Sequence, residues 1–503
     1  MSSNHKTPDA VAAEPRLEET SLDQNEIPKK AGQSQVLDEQ RTPEEVKLDR
    51  RILLKTDACV LSLLVIVATF EFLDKNALAY AAILGLKDDA KLVNQQYSWL
   101  GSIFYFGYLS MLPPTLWILT KVSAGKVIGV STTGWGISLI CMAACQNFAG
   151  LAAVRFLLGM FEATILPCFM IMSATWWKRS EQALRTALWY NTFAGIFGGI
   201  LAWAMANIPG PLSKWRYLFI IYGSITTTLG IFTTLILPTT PGTAWFLTAS
   251  EKLRAVERVA SNQQGKMVAG FKCSQCVEAL KSPSYWILII FTIAQSVTNA
   301  GITNFNPLII NGFGYSPQRT TLLATPQAAV AFVAQFSLGF LAQYVSNIRC
   351  IIWCLSTFPA LAGAMIIRLT DHEAQRNLAL GGVYLMGFYN VSWVMALSLS
   401  TSNNSGVTKK SFTSTSIAVA YAVGNIIGPQ FFRTKEAPTY QTGIFAMFVC
   451  FAIMFATGAA YATVQIRTNK RRSRAAACAD VCQDALEEAD LTDGQNPKFR
   501  YSY

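Results

Sequence analysis

The chain has 503 residues, of which 52% are hydrophobic and 14% charged, with a formal net charge of +11. Soluble globular chains carry about 25% charged residues, so a deficit of this size excludes a water-soluble enzyme or binding domain. The Lys and Arg residues gather at the ends of apolar runs, which points to a membrane surface rather than nucleic acid.

In chain order, residues 1–50 are polar and lack any apolar run, so they read as a disordered cytoplasmic tail without a cleavable signal. Apolar stretches of about 20 residues, the length that crosses a bilayer, follow at 57–80, 97–118, 126–145, 148–171, 185–207 and 216–237. The longest internal polar interval, 238–283, comes next; it contains a helical piece that Ser250 is placed to cap. Six more apolar stretches occupy 284–305, 319–344, 349–368, 378–400, 411–432 and 441–466, and 468–503 reads as a second disordered tail.

The fold class is therefore an all-α polytopic membrane protein with 12 transmembrane helices. Its domains are an N-tail (1–50), a six-helix half (51–237), a cytoplasmic linker (238–283), a second six-helix half (284–467) and a C-tail (468–503). Two six-span halves about a long linker is the plan of transporters built from parallel repeats. An even number of spans puts both termini on one side. Lys121, Lys126, Lys178, Arg179, Lys409, Lys410 and Lys470-Arg471-Arg472 all fall there. By the positive-inside rule both termini are cytoplasmic.

Charges inside the spans carry the chemistry. In the first span, Glu71, Asp74 and Lys75 interrupt an apolar run. A charge at the bilayer centre costs roughly 2.5–3.5 kcal/mol on insertion scales, so it needs a partner or water. Lys75 can snorkel to the helix end, but snorkelling needs no carboxylates, and positions i, i+3 and i+4 share one side of a helix. In the fourth span Arg155, Gly159 and Glu162 share a face at i, i+4 and i+7. They read either as a structural ion pair or as part of a buried polar site, with Gly159 admitting a neighbouring helix. In the second half Asn299, Asn304, Asn306, Asn390 and Asn425 are polar candidates for the opposite wall; Tyr190-Asn191 in the fifth span and Tyr389 in the tenth are further polar candidates. Each asparagine equally suits a plain interhelical hydrogen bond. Asn425, between Gly424 and Gly428-Pro429, is favoured because glycines permit close approach. Trp99, Trp135, Trp189 and Trp203 read as packing or interfacial anchors.

These motifs reach a resemblance. Arg155-Phe-Leu-Leu-Gly159-Met-Phe-Glu162-Ala-Thr-Ile-Leu-Pro167 resembles the fourth-span motif of the anion:cation symporter family within the major facilitator superfamily. Asp74-Lys75-Asn76 is similar to its first-span Asp-Arg-x-Asn element, with Lys in place of Arg. Trp176-Trp177 with Glu181 and Arg185 is similar to the loop after the fourth span. Gly424-Asn425-Ile-Ile-Gly428-Pro429-Gln430, Ala437-Pro438-Thr-Tyr440, Asn304-Phe-Asn306 and Gly312-Phe-Gly314-Tyr315 resemble the fungal allantoate permease branch. The resemblance covers about residues 45–467.

It implies import of a small organic anion, such as a ureide, a vitamin or another carboxylate, by proton symport. The alternatives are an exchanger or exporter, or a sensor that binds without transport. It also implies that Lys75 and Arg155, with Asn304 and Asn425, contact substrate, while Asp74 and Glu162 carry the coupling proton. Glu71, Asn76, Tyr190, Asn191, Asn306, Tyr389 and Asn390 are secondary candidates. Lys75 lacks the bidentate fork of an Arg, and Thr120-Lys121-Val-Ser-Ala-Gly125-Lys126 lacks the Asp of the superfamily's loop motif.

The partners expected are the substrate anion and the lipid bilayer, in a monomer at the plasma membrane, with no nucleic acid. No cofactor or metal is expected beyond the proton, and no enzymatic constellation stands out. Of the 11 cysteines most fall in spans, where they act as small apolar residues. Cys273-Ser-Gln-Cys276 is a lone CxxC without a nearby His, in a chain with 2 histidines.

Overall fold

A computed structural model describes residues 43–189, 194–263, 272–345, 347–371, 374–476, 492–496 and 499–503. The chain divides into two compact units, Met1–Leu54 and Lys55–Tyr503. The described part of the first is helical from Pro43, seven residues before the expected end of the tail. All that follows concerns the second.

The described residues form helices, 3-10 turns and connections, with no strand among them. Ten helices are long and apolar enough to cross a membrane: α1 (Glu44–Asp89), α2 (Gln96–Lys121), α3 (Ala124–Ala144), α4 (Phe148–Trp176), α6 (Lys214–Ile236), α7 (Pro283–Gly312), α8 (Pro317–Tyr344), α9 (Arg349–Leu369), α10 (Arg376–Asn403) and α12 (Gln441–Arg474). The shorter apolar α5 (Ala194–Ala206) occupies the expected fifth span. The helix α11 (Val407–Ile427) occupies the eleventh, with Lys409 and Lys410 in its first turn. The ten and these two are consistent with twelve spans.

Small residues set the packing. A Cβ on Gly159 of α4 would collide with the Phe104 carbonyl of α2, and one on Gly107 with that of Phe156, so both helices run in backbone contact. Gly129, Gly136 and Gly230 do the same for α3 against α6. Gly424 lies against the Ile293 carbonyl of α7 at 2.6 Å and Gly428 against Val297 at 2.8 Å, measured from the Cβ each lacks. That is the close approach expected around Asn425. Two helices break near mid-span. In α4 the break falls at Ala163 and Thr164, four residues before Pro167, whose ring supplies no N–H for the Ala163 carbonyl. In α10 it falls at Gly387 and Phe388.

The two sets of six helices meet tightly at the end opposite the linker. Ser102 Oγ donates to the Ile426 carbonyl at 2.7 Å and Gln430 Nε2 to Ser102 Oγ at 3.0 Å. The Thr434 backbone N–H donates to Gln95 Oε1 at 2.9 Å, Ser98 Oγ to the Phe432 carbonyl at 3.2 Å, and Tyr97 Oη to the Asn304 carbonyl at 2.7 Å. The Phe305 and Phe432 rings stack at 4.2 Å beneath them. This end is closed.

At the other end the contacts hold each set together. Arg185 of the helix Arg179–Trp189 and the Trp177 indole both bind Asp57, at 2.7 and 2.8 Å. Glu181 pairs with Arg258 of the linker helix Ala249–Gln263 at 2.7 Å. The cap of that helix is Thr248, not Ser250. Its hydroxyl accepts from the Glu251 N–H at 3.4 Å and its N–H donates to Glu251 Oε2 at 2.9 Å, a reciprocal capping box. The Lys55 ammonium, 2.7 Å away, together with the Thr248 N–H, holds the Glu251 carboxyl below the usual carboxylate range.

The C-terminal tail departs most from expectation. The last helix continues to Ala476, and residues 492–496 and 499–503 fold back on it. Asn403 and Ser502 exchange two bonds at 2.8 Å, and Asn469 and Tyr501 exchange bonds of 2.8 and 3.0 Å. Buried Lys409 sits between Glu278 at 2.9 Å and Asp493 at 2.7 Å. Cys273 opens the linker helix Cys273–Lys281, and neither it nor Cys276 is in a disulfide. Among the described residues no cluster of His, Cys, Asp and Glu is arranged to hold a metal ion.

Candidate functional site

The charged residues of α1 and α4 converge. Lys75 Nζ lies 2.7 Å from Glu71 Oε1, one helical turn back, and 2.8 Å from Glu162 Oε1 of α4. The Glu162 contact is an ion pair without hydrogen-bond alignment, and neither Glu162 oxygen takes another bond among the described residues. The side chain of Glu162 is fully buried, whereas Lys75 and Glu71 keep 28% and 20% of theirs accessible. Lys75 is thus turned onto the buried Glu162 of α4 rather than outward to a helix end. Tyr105 and Tyr108 of α2 and Tyr421 of α11 surround this cation. The rings of Tyr105 and Tyr421 meet edge to face at 6.0 Å across the two sets of helices.

Asp74 does not join them. One residue from Lys75, it turns about 100° round the helix and is buried against α6. Thr226 Oγ1 donates to it at 3.5 Å and its other oxygen is unsatisfied among the described residues. Trp135 lies beside it without completing a bond. Side-chain periodicity alone had put Glu71, Asp74 and Lys75 on one side; the neighbouring helices divide them.

Arg155 is 3% exposed and, among the described residues, makes neither an ion pair nor a hydrogen bond; its Nε is an unsatisfied buried donor. Its guanidinium carbon stands 5.8 Å from the centre of the Phe104 ring; Tyr97, Tyr105 and the carboxylates of Glu162 and Asp74 are its other charged or polar neighbours, both carboxylates beyond ion-pair distance. The alternative of a structural pair between Arg155 and Glu162 is thus not what the helices build: Glu162 is taken by Lys75. A buried guanidinium outside ion-pair distance of any carboxylate is costly, and such residues mark candidate functional sites.

The other wall is neutral. Tyr389 Oη donates to Asn299 Oδ1 at 3.0 Å, and Asn299 Nδ2 donates to Asn425 Oδ1 at 3.0 Å. Asn425 spends its own Nδ2 on the Tyr421 carbonyl at 2.8 Å. Three further candidates are engaged elsewhere. Asn304 donates to the Ala300 carbonyl at 2.9 Å and packs on Gly101, and Asn306 donates to Gln327. Asn390 donates to Gln335 at 3.2 Å. Asn76 bonds back to the Phe72 carbonyl at 2.8 Å. For Asn304 and Asn76 these bonds fall on helix carbonyls, so here they serve packing. Tyr190 and Asn191 lie outside the described residues. Sequence reasoning missed Tyr105, Tyr108, Tyr421 and Thr226; tyrosines in an apolar span carry no spacing signal that separates them from packing.

A bundle of apolar helices around a half-accessible cluster of opposite charges defines a membrane transporter. The pattern of the Major Facilitator Superfamily matches residues 64–429. The allantoate permease of Saccharomyces cerevisiae is 36% identical over 476 residues, covering 92% of this chain and 87% of that permease. A thiamine pathway transporter of the same yeast is 30% identical over 466 residues, covering 91% and 87%. Among solved structures, a bacterial homolog to the human lysosomal transporter Spinster, inward-facing and unoccupied, superposes with a TM-score of 0.60 at 17% identity, covering 84% of this chain and 97% of that one. The xylose transporter of Escherichia coli, inward open, gives 0.58 at 13% identity, covering 78% and 96%. The chain belongs to the Major Facilitator Superfamily, in its allantoate permease-like branch.

Proposed function

We propose that this transporter imports a small organic anion, a carboxylate, together with protons, across the plasma membrane by alternating access, with both termini cytoplasmic. The observation that carries the reading is Arg155: a buried guanidinium with no carboxylate within ion-pair distance among the described residues. A guanidinium fork binds a carboxylate through two parallel charge-assisted bonds. The name of the 36% identical relative, allantoate permease, is that of a carboxylate carrier and supports the same class.

In this reading the closed end is the outer one and the site faces the cytoplasm. Lys75 is held by Glu71 and Glu162 when the site is empty. A proton on Glu162 weakens that hold and lets the ammonium reach a second oxygen of the anion on Arg155. Asp74, buried without a cation within ion-pair distance, is the second proton carrier. Proton and anion each favour the other's binding, and the coupling is reciprocal. Two protons with a monoanion carry one net positive charge inward, so the membrane potential and the pH gradient both drive uptake.

The test is uptake of labelled allantoate, nicotinate and pantothenate by cells expressing the protein, with and without a protonophore. Uptake of one of them that the protonophore abolishes, and that Arg155→Gln removes, is the expected result. Uptake indifferent to the protonophore contradicts proton coupling, and binding without uptake makes the protein a sensor.

A further inference from the structure

One cation near the closed end has no part in the mechanism above. Lys87, in the last turns of α1, has no carboxylate within ion-pair distance among the described residues. Of its acidic neighbours, Asp88 is exposed and Asp89 accepts from the Trp215 indole at 2.8 Å. Its ammonium lies instead 4.4 Å from the centre of the Tyr97 ring and 3.3 Å from Tyr440 Oη, which belongs to the other set of six helices. Tyr97 and Tyr440 are themselves packed edge-on to Phe305, at 5.3 and 5.5 Å, in the aromatic layer that seals this end. On the inner side of Tyr97 stands Arg155, within electrostatic reach of the Tyr97 hydroxyl. Two cations without carboxylate partners thus flank one tyrosine that is only 4% exposed.

We propose that Lys87 is an outer station for the anionic substrate, which passes from Lys87 to Arg155 when the Tyr97 layer opens. The two roles of Lys87 then alternate. With the seal closed, its charge is held by a ring face and a phenol, contacts worth about 0.5–2 kcal/mol that an anion readily displaces. With the seal open, Tyr440 withdraws with its own set of helices, and the ammonium stands free in the entrance. A cation at the mouth raises the local concentration of anions and speeds their capture. A carboxylate paired to Lys87 would cancel that field; among the described residues none lies within ion-pair distance, and exposed Asp88 acts on it only from further off. The inference rests on the cargo being an anion. It adds that selection for negative charge begins a layer above the buried site.

The experiment compares the two faces of the membrane. Initial rates for whichever of allantoate, nicotinate and pantothenate the wild type carries fastest are measured for entry into intact cells. They are measured again for entry into inside-out vesicles, with rates normalised to protein in the membrane. Lys87→Gln is expected to raise KM at the outer face about tenfold and KM at the inner face by less than about twofold, the size of one lost long-range charge contact. Lys87→Arg is expected to restore most of the outer affinity, which a variant that merely misfolds would not. An equal rise on both faces, or no rise on either, overturns the outer station. Arg155→Gln separates this from failure of the function itself: if it too leaves both faces unchanged, the anion site is wrong, whereas an effect of Arg155→Gln alone sinks only Lys87. Absence of flux for all three anions in the wild type overturns both.

Discussion

The two walls of the site differ in kind. The first six helices bring Glu71, Asp74, Lys75, Arg155 and Glu162 to the site; among the described residues the last six bring Asn299, Asn425, Tyr389 and Tyr421 and no charged side chain. The charged wall is half satisfied: among the described residues Lys75 has two carboxylates within ion-pair distance, Arg155 none, and Asp74 a threonine hydroxyl at 3.5 Å. The neutral wall is a continuous chain of hydrogen bonds. Buried polar groups left open are sites of chemistry, and those fully bonded fix shape. On the function proposed above, coupling and charge recognition fall to one half and the fit around the anion to the other.

Five substitutions test that contrast, in falling order of effect. Arg155→Gln should remove the anion's two charge-assisted bonds, each worth about 1.5–3 kcal/mol, and lower kcat/KM for uptake by at least about 100-fold. Glu162→Gln should spare binding and exchange of preloaded anion yet abolish the response of net uptake to a protonophore, because only the proton step is lost. A glycine on each side then compares packing. Gly159→Val places carbon against the Phe104 carbonyl and Gly424→Val against Ile293, and thermal unfolding in detergent should show both destabilised, by about 1–3 kcal/mol. Smallest is Asn425→Ala, which frees one bond of Asn299; a KM about three- to tenfold higher with coupling intact is expected from the loss of one neutral hydrogen bond. Loss of proton dependence in Asn425→Ala would erase the distinction between the walls.

Much of this was legible in the sequence, and the limits have physical causes. Apolar length revealed the spans, and the seven-residue spacing of Arg155 and Glu162 put both on one face of α4. Helical periodicity says which residues share a face but not which helix that face meets. Hence Asp74 was grouped with Lys75 although α6 claims it, and Arg155 was offered Glu162 although Lys75 takes it. Asn304 was read as a substrate ligand from its motif; its place against Gly101 depends on where α2 crosses α7, which one chain's pattern does not carry. The tail at 468–503 reads as disordered because it has too little apolar surface to form a core; of it, 492–496 and 499–503 are packed on the bundle. These segments are held by ion pairs and reciprocal amide bonds to Lys409, Asn403 and Asn469, whose position only the folded bundle defines.

The central claim is that Arg155 is the anion's counter-charge. Saturation binding of the labelled carboxylate to purified protein, wild type against Arg155→Gln, tests it without requiring a transport cycle. The account predicts saturable binding to the wild type, tighter at lower pH, and none to Arg155→Gln. Equal affinity of the two would contradict it and move the site elsewhere in the bundle.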